Sequence, residues 1–135
     1  MTERRPTRKE AKQAERDAYA AHVRSALEDA HLAAEAAFAR FMQSAPLTPD
    51  GFVGDLCGGA MVGVYKPSYR LRTTLQAIGE IEKDYKGAWY ISNFSRHVIR
   101  QQSITAHEET CRAACAVLQE RLSGEGQFFA RRYMT

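Results

Sequence analysis

A chain of 135 residues, 44% hydrophobic and 26% charged, has material for one globular domain around one core and none for a second. No apolar run approaches the roughly 18 residues that span a bilayer, and "MTERRPTRKEAKQ" is charged where a secretory signal carries its apolar segment. Three cysteines make no disulfide framework, so the expected location is cytoplasmic, intracellular and reducing, with no membrane partner. The net charge of +3 is unevenly spread: residues 1–24 and 60–102 are rich in Lys and Arg, while residues 25–59 are acidic. Such asymmetry points toward nucleic acid or another acidic partner.

From Thr7 to Gln43 there is neither proline nor glycine and alanine is abundant, which predicts one long helix. Thr7 and Glu10 have capping-box spacing. Tyr19, Val23, Leu27, Ala30, Ala34, Phe38 and Phe41 recur at spacings of four and three, drawing one apolar stripe. At about 1.5 Å per residue such a helix outruns a small domain, so its basic start is expected to project or fray. The stripe through Tyr19, Val23, Leu27 and Phe38 is expected to meet a partner helix, making a homo-oligomer. Pro46, Pro49 and the glycines of "GFVGDLCGG" then mark a boundary. No Gly-Lys-Ser/Thr ending makes that stretch a phosphate loop, and a flexible hinge or a bulged strand entry is the plainer reading.

After the boundary the pattern alternates. "AMVGVYK" reads as a strand, "SYRLRTTLQAIGEI" as a helix, "AWYISNF" as a strand and "RHVIRQQ" as its return strand. Thr105 and Glu108 open a helix that closes near Gly124, and "QFFARRYM" is a last strand. The expected organisation is a helix over 1–45, a Pro/Gly-rich hinge over 46–59 and an α+β domain over 60–135. Its order β-α-β-β-α-β is that of the ferredoxin-like, split βαβ motif.

The segment "VYKPSYRLRTT" sets Lys66, Arg70 and Arg72 around a helix start capped by Ser68, where acidic residues are the stabilising choice. Glu80 and Glu82 lie toward that helix's far end, also against the dipole. An anion held by Lys66, Ser68, Tyr69, Arg70 and Arg72 would remove the penalty. The rival reading is that Arg70 and Arg72 reach surface carboxylates such as Asp55 or Asp84. Arg96 and Arg100, on either side of His97, are further candidate anion contacts.

Strand alternation places Tyr90 on one face of the sheet, and in the last strand it groups Phe129, Arg131 and Tyr133. Rings and arginine on an uncovered sheet suit base stacking, unless the long helix lies across them. In "KGAWYIS", Lys86, Gly87, Tyr90 and Ile91 match the third-strand consensus of RNA-recognition domains. Ala88 and Trp89 do not, and the segment is expected one strand too early, so kinship is not claimed.

His107, Cys111 and Cys115 share a helical face, but the outer two stand about 12 Å apart along the axis, too far for one tetrahedral metal. A pair of them with Cys57 is the remaining metal alternative; the plainer reading makes Cys111 and Cys115 core thiols with His107 at the rim, and no metal or cofactor is expected. No nucleophile elbow, HExxH or cysteine-histidine signature appears, which favours a protein that is not an enzyme. The function expected is binding of an anionic partner, foremost nucleic acid. The alternative is a small inhibitor or adaptor that docks on a larger protein or nucleoprotein complex, like many short phage and plasmid proteins, anti-CRISPR proteins among them.

Overall fold

Thr7 opens helix α1, Arg8–Ser44, by accepting the Glu10 N–H at 3.1 Å. In the computed structural model, which describes residues 4–45, 47, 49, 58–84, 86–95 and 103–134, this helix runs unbroken for 37 residues, about 55 Å. Its first three turns, through Ala18, are exposed on every side. From there Val23, Ala26, Leu27, Ala30, Ala34 and Ala37 make a buried row. Four of those six are alanine, so α1 can approach a neighbouring helix closely.

Strand β1, Gly58–Tyr65, leads through Lys66 and Pro67 to helix α2, Tyr69–Ala77. The helix stops four residues earlier than the sequence predicts. Gly79, at φ 74°, turns the chain, and the Glu80 N–H bonds back to the Leu75 carbonyl at 2.9 Å. Residues Ile81–Lys83 are therefore strand β2, and Glu80 and Glu82 are not helix-end charges at all. Asp84 then accepts the N–H groups of Lys86 at 2.9 Å and Ala88 at 2.8 Å, and Gly87 takes φ 86°. This Asx turn delivers strand β3, Trp89–Ile91. The predicted strand at "RHVIRQQ" lies outside the described residues.

Helix α3, Ile104–Arg121, is capped by Ser103, whose hydroxyl accepts the Ala106 N–H at 3.1 Å. The cap thus lies two residues before the expected Thr105, with Ala106 where a box needs an acid or amide, and Glu108 instead pairs with Arg112 at 3.1 Å. Gly124, at φ 83°, ends the helix and leads to strand β4, Gln127–Met134. The four strands form one antiparallel sheet in the order β2-β3-β1-β4, with Gly63 opposite both Tyr90 and Phe129.

One face of this sheet makes the core. Ala60, Val62, Val64 and Ile91 meet Leu71 and Leu75 of α2, Cys111, Ala114 and Leu118 of α3, and the buried row of α1. α1 packs along α3 and touches α2. Arg121 ties the pair by reaching Asp29 and Ser25, and His22 bonds the Arg121 carbonyl at 3.0 Å. The fold is thus α+β, with a long N-terminal helix, a four-stranded antiparallel sheet and two further helices. Val23 and Leu27, read from the sequence as partner-facing, lie inside this core, and a dimer built on them has no such surface left. Tyr19 and Phe38 are half-buried. Among the described residues no helix is long and apolar enough to cross a membrane.

Candidate nucleic-acid interface

Because the three helices gather on one side, the opposite face of the sheet has no helix over it among the described residues. Strand alternation puts Met61, Gly63 and Tyr65 of β1, Tyr90 of β3 and Phe129, Arg131 and Tyr133 of β4 on this face. Tyr65 is 56% exposed, Tyr133 48% and Phe129 36%. Two glycines shape it. A side chain at Gly63 would collide with the Phe129 ring, and one at Gly59 with the Tyr133 ring. Each ring covers the bare backbone opposite it and lies low on the sheet, presenting its surface to solvent.

Tyr90, expected among the stacking rings, is only 9% exposed. Its hydroxyl accepts from Arg131 Nη1 at 2.8 Å, which ties the guanidinium to β3. Arg131 lies opposite Met61 in register. The segment Lys86–Ser92 enters the third strand in sequence order, not the second as the sequence suggested.

The helix start at Ser68 has a different occupant from the one expected. Glu125 stands there: its carboxylate accepts from the Ser68 hydroxyl and from Arg70 Nε at 2.8 Å and Nη2, and its carbonyl accepts the Ser68 N–H at 2.7 Å. Ser68 in turn caps the Leu71 N–H at 3.2 Å. The hydrogen bonds from Arg70, followed by that from Ser68, outweigh burial and hold the Glu125 carboxyl below the ordinary carboxylate range. Arg70 also lies over the Tyr19 ring at 4.3 Å, and burial, with the Glu125 charge behind it, pushes the Tyr19 phenol up to about 12. Arg70 therefore answers a carboxylate of its own chain, Glu125, and not Asp84, which caps its own turn; the Asp55 alternative lies outside the described residues.

Lys66 and Arg72 turn the other way. Lys66, at φ 50°, sits 5.4 Å from the Tyr65 ring, and Arg72 lies 5.8 Å from Trp89 and 5.7 Å from Tyr69. With Phe129 they border a groove of about 360 Å³ at the end of the sheet face. Arg96 and Arg100 lie outside the described residues.

The sequence reading missed Glu125. The signal was within reach, because pairing Tyr65 with Gln127 sets residue 125 beside Pro67 and Ser68, but it required knowing that β1 and β4 are neighbours. Among the described residues no cluster of three or more His, Cys, Asp or Glu side chains is placed to hold a metal. Burial pushes the thiols of Cys111 and Cys115 up to about 11 and about 12. Comparison with family models, with curated proteins and with solved structures gave no match.

Proposed function

We propose that this protein binds single-stranded nucleic acid on the open face of its sheet, without catalysing a reaction. The observation that carries the reading is the sidedness of the fold: α1, α2 and α3 share one face, and Phe129, Tyr133 and Tyr65 stand uncovered on the other around Arg131. Bases must be unpaired to lie on such rings, so the preference is for single strands. We read the order β-α-β-β-α-β, with strands arranged β2-β3-β1-β4, as the split βαβ or ferredoxin-like arrangement, in which the sheet face away from the helices is the natural binding surface.

A second reading has its own support. Met61 lies exposed among the rings, and Glu82 stands on the β2 side of the same face. An apolar centre with a charged rim also fits a protein partner, as an inhibitor or adaptor requires.

Fluorescence anisotropy with labelled oligothymidylate and oligouridylate at low salt separates the two. Phe129→Ala and Tyr133→Ala are each expected to weaken binding by about 1–3 kcal/mol while leaving the fold intact. Absence of binding by the wild type, or binding indifferent to both substitutions, would remove the nucleic-acid reading and leave the protein-docking one.

A further inference from the structure

We infer that the strand held on the sheet face continues around the molecule, past Lys66 and Arg72 and across Tyr69, into the groove between α2 and the projecting start of α1. The inference rests on the sheet-face reading and extends it by a second, basic subsite for the same partner.

Two grooves flank the first turn of α2. The first, at the sheet end, is bordered by Phe129, Lys66, Trp89 and Arg72. The second, of about 640 Å³, has Lys12, Arg16 and Arg24 of α1 on one wall and Tyr69 and Thr73 of α2 on the other. They are joined by a single guanidinium. Arg72 stands 5.8 Å from the Trp89 ring in the first groove and 5.7 Å from the Tyr69 ring in the second. Tyr69 itself is 74% exposed, which no requirement of the core explains.

Charge follows the same route. Lys12 and Arg16 are one turn apart on a stretch of α1 exposed on every side, so a packed surface does not account for their placement. Glu15 and Asp17 also border the second groove and keep their charge, Asp17 accepting from the Gln13 amide at 2.8 Å and Arg16 donating to the Gln13 side-chain carbonyl oxygen at 3.2 Å, so that Lys12, Arg16 and Arg24 outnumber them there three to two. Arg70 borders it too but is committed to Glu125. The available cations are Lys12, Arg16, Arg24 and Arg72, and with an aromatic ring at their centre they repeat the chemistry of the sheet face: phosphates against cations, a base against tyrosine.

Oligothymidylates of about four and about twelve nucleotides test the path, since the short one covers a single platform and the long one reaches beyond it. The combined variant Lys12→Gln, Arg16→Gln, Arg24→Gln is expected to bind the short oligonucleotide like wild type and the long one roughly tenfold more weakly, its salt slope shallower by about 2. Tyr69→Ala, which changes no charge, is expected to weaken the long oligonucleotide alone. Circular dichroism checks that both variants are folded. Equal losses for both lengths would reduce α1 to a diffuse positive field, and no loss for either would remove the path, in each case with the sheet face still binding. If wild type binds neither length, the sheet-face reading itself fails.

Discussion

Replacing Glu125 by Gln keeps the shape of the side chain and removes only its charge, so it isolates what the carboxylate does at the start of α2. In the folded chain that carboxylate is 11% exposed and accepts from Ser68 and twice from Arg70. A buried hydrogen bond to a charged group contributes about 1.5–3 kcal/mol, and an acidic group at a helix N-terminus about 0.3–1 kcal/mol. The Arg70 end adds little, because that side chain is 65% exposed and water screens it. Since Gln still offers one acceptor oxygen, the expected loss is about 2 kcal/mol, or roughly 1 M in urea midpoint for an m-value of about 2 kcal/mol per M. The pH dependence has a definite sign. The folded carboxyl titrates below its ordinary 4.5, so its contribution is complete above that value and is lost as the pH falls through the folded value. Urea unfolding at pH 7 should therefore separate Glu125→Gln from wild type, and the gap should close on acidification below 4.5. Equal midpoints at pH 7, or a gap that acid does not narrow, would refute the reasoning and return the elbow cations to an external anion.

Lys66 adopts φ 50° immediately before Pro67, a conformation that a side chain and a following proline both oppose. Lys66→Gly is expected to raise stability by about 0.5–1 kcal/mol in urea unfolding, while weakening oligonucleotide binding through the lost ammonium. Ala30 is fully buried in the row that α1 sets into the core, so Ala30→Leu is expected to destabilise by about 1–3 kcal/mol through overpacking, measured by thermal melting. Cys111 and Cys115, with thiols pushed up to about 11 and about 12, should react with a disulfide reagent at pH 8 far more slowly in the native protein than in urea; equal rates would show that burial does not protect them.

Much of the architecture was legible in the residues. The long helix from Thr7, a strand leading into the Pro67 elbow, the cap at Ser68, the turn at Gly124 and the last strand all follow from local chemistry: alanine runs, hydroxyl caps, left-handed glycines and period-two alternation. So does the grouping of Phe129, Arg131 and Tyr133, because strand geometry alone sends alternate residues to one face. The short strand Ile81–Lys83 was hidden because three residues carry too little periodicity, and only pairing with Trp89–Ile91 holds them extended. Tertiary structure alone decided three further things. Stacking α1 against α3 consumed the apolar stripe that a sequence offers equally to a partner or to its own core. Placing all three helices on one face exposed the aromatic one, a choice that alternation leaves open between two sides. And the charge at the start of α2 found its counterpart in Glu125, 55 residues beyond Arg70 in the chain, because an ion pair depends on distance in space and leaves no mark in the spacing of residues.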